Sequence, residues 1–287
     1  MAILASARPK RRETAMRYEE YLLGHSNFEL ERLARQAKQI APATREYFRE
    51  AGMAHGMRVL DVGSGTGDVA FLAADLVGPS GEVIGADIAP AAVAVARAAA
   101  DQRGLRQVSF LEGDPSNMTF EKPFDFVVGR YVLAHQADPK VMLRGLTKHL
   151  RPGGMMVFQD PDWSFVSSDP VAPTYDRCCS WAMDAAGRSG IRIVNAVTWM
   201  HRAFVGAGLK PPTMRMRTMV GDAVGVEDWL RSVADFVVTM LPAIEKYGIA
   251  TSADAGIDTL SDRIVREVAS GGGIVIGRAE IGAWSQV

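Results

Sequence analysis

Three glycines at alternate positions follow an acidic residue at the point where an apolar segment ends. Residues 59–62 read Val-Leu-Asp-Val, and the glycines are Gly63, Gly65 and Gly67. Glycine accepts positive backbone dihedral angles and carries no Cβ, so a ligand can lie directly against the backbone amides at the start of the next helix. The pattern therefore predicts a ligand-binding loop, and Asp61 favours a ligand with a positive charge beside it.

The spacing of these glycines separates the loop from two other glycine-rich loops. A dinucleotide-binding loop has the pattern G-x-G-x-x-G and holds a pyrophosphate at a helix N-terminus. Here the pattern is G-x-G-x-G, with Ser64 and Thr66 between the glycines and Asp61 before them. The chain contains no G-x-x-x-x-G-K-[ST] phosphate loop. These differences disfavour a dinucleotide and a nucleoside triphosphate as the ligand.

Further predicted strands also end in polar residues. The second, at residues 82–87, ends in Asp87, about 20 residues beyond the glycine loop, where nucleoside-binding βαβ units place the carboxylate that binds ribose hydroxyls. Residues 108–114 and 124–130 form the third and fourth strands, and residues 155–160 form the fifth. The carboxyl ends of parallel strands meet at one edge of a sheet. We therefore expect one crevice to be lined by Asp61, Asp87, Asp114, Arg130 and Asp160.

The elements that position these residues alternate between short apolar strands and amphipathic helices from residue 56 to residue 160. Such alternation predicts an α/β fold with a mostly parallel sheet that is covered by helices on both faces.

The acid followed by x-G-x-G-x-G resembles the first motif of the class I S-adenosylmethionine-dependent methyltransferases. Leu-Arg-Pro-Gly-Gly at residues 150–154, before the fifth strand, is similar to another hallmark of that family. The resemblance covers residues 56–160 and the flanking segments in outline. It implies a Rossmann-like, seven-stranded, mostly parallel sheet with helices on both faces, an N-terminal helical lid and helical insertions near the C-terminus.

The same resemblance implies S-adenosyl-L-methionine as the cofactor. Asp61 would lie near its ammonium group, Asp87 at the ribose hydroxyls and Ile88 against the adenine, while Asp114 or the neighbouring amides would bind the adenine amino group. The implied cofactor-binding residues are Asp61, Gly63, Ser64, Gly65, Thr66, Gly67, Asp87, Ile88, Gly113, Asp114, Pro115 and Arg130.

We predict three regions along the chain. Residues 1–51 form the helical lid, residues 52–163 the cofactor-binding core, and residues 164–287 the remainder of the sheet with helical insertions that cover the substrate. The apolar residues of the first region recur at helical spacing. For most of these residues we favour the alternative of an amphipathic helix that simply packs against the sheet.

Methyl transfer mainly requires that the acceptor is held in line with the activated methyl group and that water is excluded. Residues 129–135, Gly-Arg-Tyr-Val-Leu-Ala-His, resemble the corresponding segment of phosphoethanolamine methyltransferases, in which a histidine and a lid tyrosine close over the substrate. The resemblance implies His135 as a catalytic residue together with Tyr21 or, alternatively, Tyr18. A histidine that only begins a helix and bonds to its backbone is the competing interpretation.

Two acids near the fifth strand, Asp160 and Asp162, are further candidates for accepting a proton from the acceptor. Trp163 and Phe165 follow them, and they either stack on a substrate or fill the roof of the crevice. The fourth strand ends in Gly-Arg-Tyr and lacks the Asn/Asp-Pro-Pro-Tyr of methyltransferases that act on planar amides and base amino groups. This departure disfavours DNA adenine and glutamine side chains as acceptors.

Composition limits the class of protein. The chain has 287 residues and a formal net charge of -1, whereas nucleic-acid binding relies on a basic surface that neutralises phosphates. No apolar run approaches the ~18 residues that span a bilayer, and the chain start lacks a secretory apolar segment, so we expect a cytoplasmic protein without membrane or nucleic-acid partners. Cys178 and Cys179 are adjacent and the five histidines are scattered, so no metal site is expected.

The resemblance implies that the protein transfers a methyl group from S-adenosylmethionine to an oxygen, nitrogen, carbon or sulfur atom of a small molecule, possible acceptors including secondary metabolites. A homodimer is compatible with the sequence. Two alternatives stay open, namely a protein of this fold that binds the cofactor without transferring methyl and a nicotinamide-dependent oxidoreductase.

Overall fold

The computed structural model describes residues 27–287, which contain one sheet of eight strands. The strands are β1 (Arg58–Val62), β2 (Glu82–Asp87), β3 (Val108–Glu112), β4 (Phe124–Arg130), β5 (Leu150–Asp162), β6 (Ser167–Asp169), β7 (Thr213–Gly221) and β8 (Ile274–Gln286). Their order in the sheet is β3-β2-β1-β4-β5-β8. Strand β6 lies on the same edge of β8 as β5, and β7 lies on the opposite edge.

Nine α-helices lie within the described residues 27–287, and three short 3₁₀-helices, at Pro115–Asn117, Leu133–His135 and Ile257–Thr259, complete the helical elements there. The α-helices are α1 (Asn27–Glu50), α2 (Asp68–Val77), α3 (Pro90–Gln102), α4 (Pro139–Thr147), α5 (Pro173–Arg188), α6 (Ala196–Gly206), α7 (Glu227–Lys246), α8 (Ser252–Ala255) and α9 (Leu260–Gly271).

The first five strands are parallel, and β8 runs antiparallel to its neighbours. This arrangement confirms the predicted α/β class and its mostly parallel sheet. The eighth strand, which the sequence did not predict, is the short β6, which pairs with residues 274–276.

Strand β5 begins earlier than the sequence predicts. Its pairing with β4 shifts between the Phe124–Leu150 pair and the Phe126–Met155 pair, so residues 151–154 form an irregularity inside the strand. Gly153 has φ 77°, a conformation that glycine adopts without strain. The Arg-Pro-Gly-Gly segment is therefore a bulged start of β5 and not a separate turn.

Helices cover both faces of the sheet. Asp61 of β1 pairs with Val128 of β4, which pairs with Val157 of β5, and because paired residues point to the same side we call this side the Asp61 face. The Asp61 face packs against α1, α2 and α3, whereas the opposite face packs against α4 and α6. A third apolar cluster joins α5, α7 and α9 and forms what we call the roof; its largest members are Trp163, Tyr175 and Trp229.

Helix α1 lies against the Asp61 face through its C-terminal half. Tyr47 and Phe48 are buried, and the Tyr47 hydroxyl donates to the backbone oxygen of Glu280 at 2.7 Å. The ring of Tyr47 rests on Gly282, where a Cβ atom would lie 2.6 Å from it. Residues 1–26, which include Tyr18 and Tyr21, lie outside the described residues.

Cys178 and Cys179 are buried in α5 as small core residues, in agreement with the sequence. In the described part of the chain, no helix combines the length and the apolar character that crossing a membrane requires.

Gly282→Ala should lower the free energy of unfolding by about 1–3 kcal/mol, because the added methyl group overlaps the Tyr47 ring. Gly187→Ala in α5 is the matched control, since a Cβ there meets no atom within 4 Å. Alanine favours a helix more than glycine does, so the control should gain up to about 1 kcal/mol. Urea unfolding monitored by circular dichroism measures both, and equal effects at the two positions would contradict the prediction.

Candidate active site

The glycine loop connects β1 to α2 in a conformation that requires glycine. Gly63, Gly65 and Gly67 have φ values of 64°, 52° and 96°. A Cβ on Gly63 would lie 2.8 Å from Val132, and one on Gly67 would lie 2.8 Å from Phe110. At Gly65, by contrast, a Cβ would meet no described atom within 4 Å. The first and third glycines therefore allow close packing, while the middle one leaves space for a ligand on the backbone.

Asp61 is fully buried at the end of β1, and neither of its carboxylate oxygens has a hydrogen-bond partner among the described residues. Burial raises the pKa of this carboxyl well above its usual value, and the positive charge of Arg130 opposes the rise. A buried carboxyl without partners costs free energy, commonly about 1–3 kcal/mol. A cationic ligand at this point would supply the missing partner.

The predicted ribose-binding carboxylate lies beside the loop. One oxygen of Asp87 accepts from the amide of Gly65 at 2.8 Å, and the other accepts from the amide of Ala89 at 2.8 Å. Each oxygen retains a second lone pair that can accept from a hydroxyl group. Ile88 follows with 56% of its surface exposed, which leaves it available to cover a planar group.

Residues 113–115 reach the same edge of the sheet. The amide of Gly113 donates to the backbone oxygen of Asp87 at 2.8 Å. The Asp114 carboxylate accepts from the amide of Ser116 and from the side chain of Asn117, both at 2.8 Å, and so begins the 3₁₀-helix at Pro115–Asn117. The edge thus brings the ends of β1, β2 and β3 together, as the sequence predicts.

Arg130 lies at the end of β4 on the Asp61 face, and its Nη1 is 3.4 Å from Thr44 Oγ1 of α1. It lines an open cavity of about 460 Å³ between α1 and α2, together with Lys38, Arg45 and Asp68. The sequence predicted Arg130 in the crevice. It did not predict the contribution of α1, because nothing local indicates which residues of a helix face a given strand end.

His135 is the last residue of the 3₁₀-helix at Leu133–His135, which is the next helical element after β4. Its proposed partner Tyr21 lies outside the described residues, as does Tyr18. A catalytic role for His135 and Tyr21 therefore stays a prediction.

Asp160 does not share the Asp61 face, contrary to the expectation from the sequence. Side chains alternate along β5, so Asp160, three residues beyond Val157, points to the opposite face. One oxygen accepts from the amide of Ala134 at 3.1 Å, and the other has no described partner. Burial raises the pKa of Asp160 to about 8.

Asp162 has a structural role in place of the proton-accepting role considered from the sequence. Its oxygens accept from the amides of Ser164, Asn195 and Ala196 at 2.9, 3.1 and 2.7 Å. These bonds hold the start of α6 against the end of β5. Trp163 is buried against Trp229, with 5.2 Å between ring centroids, and so fills the roof.

A buried polar cluster that the sequence analysis missed lies on the Asp61 face beyond the end of β4. It consists of Tyr131, Gln159, Arg278 and Glu280. The Tyr131 hydroxyl donates to the Glu280 carboxylate at 2.7 Å, and Arg278 Nε donates to it at 2.9 Å. Tyr131 has φ 58°, rare for a residue with a side chain. The available signal was two charged residues at alternate positions within the otherwise apolar segment 274–284.

Known proteins resemble this chain in sequence. A family model described as a methyltransferase domain matches residues 54–200. The demethylmenaquinone methyltransferase of Lactococcus lactis is 34% identical over 121 residues, which are 42% of this chain and 46% of the relative. The aklanonic acid methyltransferase of a Streptomyces strain is 39% identical over 107 residues, 37% of this chain and 49% of the relative. The matched regions span about half the length of these curated relatives.

Among solved structures, the phosphoethanolamine N-methyltransferase 2 of Haemonchus contortus superimposes with a TM-score of 0.53 at 16% sequence identity. The match covers 85% of this chain and 52% of the other. At this identity the similarity concerns the fold.

Asp160→Asn should reduce the pH dependence of stability. In the wild type the folded state retains a proton up to about pH 8 that the unfolded chain releases near its usual pKa of 3.8, so the free energy of unfolding should fall as pH rises through this window. Asparagine can keep the bond to Ala134 and does not ionise. The melting temperature of the variant without ligand should therefore fall less than that of the wild type between pH 5 and pH 8.

Asp258→Asn, at an exposed carboxylate, is the control, and its melting temperature should change with pH as that of the wild type does. If the melting temperature of Asp160→Asn also changed with pH as in the wild type, Asp160 would be ionised in the folded protein.

Proposed function

We propose, since the chain belongs to the class I S-adenosylmethionine-dependent methyltransferase family, that it transfers a methyl group from S-adenosylmethionine to a small-molecule acceptor. The main support for this proposal is the environment of Asp61. Asp61 is a buried carboxylate without a described partner, and it lies next to a glycine loop that leaves backbone open to a ligand. The ammonium group of the cofactor provides the charge that this carboxylate lacks.

The residues at the strand ends fit the remaining parts of the cofactor. Asp87 has lone pairs for the ribose hydroxyls, and the exposed Ile88 offers an apolar surface for the adenine. Residues 113–115 lie beside them for the adenine amino group. Arg130, near Asp61 on the same face, suits the carboxylate of the methionine part.

The bound cofactor supplies an activated methyl group on its sulfonium. The protein then has to hold the acceptor in line and exclude water. Helices α1 and α7 serve this purpose by closing over the Asp61 face, where Arg35 pairs with Asp235 at 2.7 Å and Gln39 bonds Ser232 at 3.1 Å. His135 with Tyr21 is our proposal for the groups that close on the acceptor and receive its proton.

A small organic acceptor is in keeping with the names of the relatives, whose substrates are demethylmenaquinone and aklanonic acid. The net charge of -1 gives little attraction to nucleic-acid phosphates. We further propose that the protein acts in the cytoplasm and that the division into residues 1–51, 52–163 and 164–287 separates lid, cofactor-binding core and substrate-covering region. A homodimer is its proposed assembly, and sedimentation of the purified chain tests it.

The proposal is tested by titrating the purified chain with S-adenosylhomocysteine and with NADH, and by incubating it with methyl-labelled S-adenosylmethionine and a small-molecule extract. We expect S-adenosylhomocysteine to bind, NADH not to bind, and label to appear in an extract component. Binding without label transfer over many extracts would favour a cofactor-binding protein without transferase activity. Preferential binding of NADH would favour an oxidoreductase.

Asp61→Asn should weaken the binding of S-adenosylhomocysteine at least tenfold. A charge-assisted hydrogen bond contributes about 1.5–3 kcal/mol, and about 1.4 kcal/mol corresponds to a tenfold change in affinity. Without ligand the variant should be at least as stable as the wild type at pH 8, since an amide relieves the buried carboxylate. Calorimetry and thermal unfolding measure the two effects. Lower ligand-free stability with unchanged affinity would make Asp61 a structural residue.

Asp87→Ala should weaken the binding of S-adenosylhomocysteine at least several-fold, since the substitution removes the acceptor for the ribose hydroxyls and the hydrogen bond from the Gly65 amide. Asp258→Ala, at an exposed carboxylate of the 3₁₀-helix Ile257–Thr259, is the matched control and should bind as the wild type does. Equal affinities of the two variants in calorimetry would contradict the assignment of Asp87.

A further inference from the structure

Arg278 stands just beyond the carboxyl end of β5. Its neighbour Ala279 pairs with Asp162, the last residue of that strand, and Gly282 pairs with Gln159. Alternation along β8 therefore places Arg278 on the face of Gln159, which is the Asp61 face. In open α/β sheets this edge is where ligands bind.

The guanidinium of Arg278 is buried but only partly bonded. Its Nε lies 2.9 Å from Glu280 Oε1 and 3.2 Å from the Tyr131 hydroxyl, while the side chain is only 5% exposed. Its Nη2 has no hydrogen-bond partner in the described part of the chain. A buried donor of this kind costs free energy until an acceptor reaches it.

Glu280 does not supply that acceptor, because its oxygens accept from other donors. Oε1 accepts from Arg278 Nε and Oε2 accepts from Gln159 Nε2 at 2.8 Å, while the single hydroxyl hydrogen of Tyr131 is shared between the two oxygens. These three donors hold the carboxylate, and Arg278 Nη2 is not among them. Glu280 thus fixes the orientation of the guanidinium and leaves Nη2 for another group.

The other side of the guanidinium is held by the roof. Its central carbon lies 5.1 Å from the centroid of the Trp229 ring, and the Trp229 indole donates to the Tyr175 hydroxyl at 3.0 Å. Arg278 is therefore fixed between the sheet and the roof before any ligand binds. Such preorganisation favours recognition of one group in one place.

We infer that Arg278 binds an anionic oxygen of the methyl acceptor, either a carboxylate or a phenolate or enolate oxygen. The inference rests on the proposed function and adds the chemical class of the acceptor. Guanidinium groups suit such oxygens because their planar donors form charge-assisted hydrogen bonds. Asp61 and Arg130 lie nearer the glycine loop on the same face and complement the charges of the cofactor, so Arg278 is left for the acceptor.

The test uses the full chain saturated with S-adenosylhomocysteine and titrated with benzoate, with the neutral benzamide and with 4-nitrophenolate. We expect at least one of the anions to bind ten times more tightly than benzamide. Arg278→Met should abolish this preference. Arg231→Met, at a half-exposed arginine of α7, is the matched control and should keep the preference.

Since Arg278→Met leaves Glu280 buried without its partner, the double variant Arg278→Met with Glu280→Gln removes both charges and guards against misfolding. Both variants should bind S-adenosylhomocysteine within twofold of the wild type. Preference for benzoate identifies a carboxylate acceptor, and preference for 4-nitrophenolate identifies a phenolate or enolate.

Absence of anion binding by the wild type, or a preference that survives in both variants, overturns the inference. Loss of S-adenosylhomocysteine affinity in the double variant also overturns it, because the pair would then serve the cofactor or the fold. Failure of the wild type to bind S-adenosylhomocysteine would instead contradict the proposed function itself.

Discussion

The hydrogen bonds of Glu280 connect four parts of the molecule that meet at the carboxyl edge of the sheet. Its carboxylate accepts from Tyr131 after β4, from Gln159 of β5 and from Arg278 of β8. Its backbone oxygen accepts from Tyr47 of α1. A hydrogen bond to a charged group typically contributes about 1.5–3 kcal/mol and a neutral one about 0.5–1.5 kcal/mol. The bonds from Tyr131 and Gln159 therefore favour one register of β8, and the bond from Tyr47 favours one position of α1. The shape of the crevice depends on both.

Two buried carboxylates on the same face of the sheet are therefore in opposite states. Glu280 accepts from three donors, namely Tyr131, Gln159 and Arg278, whereas Asp61 has none among the described residues. The first stabilises the fold, and the second is a cost that the folded protein carries in the absence of ligand. Unsatisfied polar groups of this kind are typical of binding sites, where stability is exchanged for affinity.

The parts of the structure that were predictable from the sequence depend on local patterns. Positive φ values explain the glycines at 63, 65 and 67, and the strands that carry Asp61 and Asp87 near their carboxyl ends are short apolar segments followed by turns. The contacts of Arg278 with Tyr131 join residues 147 positions apart and exist only because β8 pairs with β5 in one register. The face of Asp160 and the use of Asp162 at the start of α6 likewise depend on strand register and on packing, which a single sequence does not specify.

Strand β7 forms one outer edge of the sheet, and no described strand pairs with its far side. An open edge offers free amide and carbonyl groups to a strand of another molecule, which is a common route to aggregation. On β7 this edge carries Arg215 and Arg217, which Glu50 and Glu46 of α1 hold in ion pairs. A second copy that docked there would have to bury or displace these charges. Helix α1, which covers the Asp61 face, thus also holds charges along this edge, and such charges disfavour pairing with a further strand.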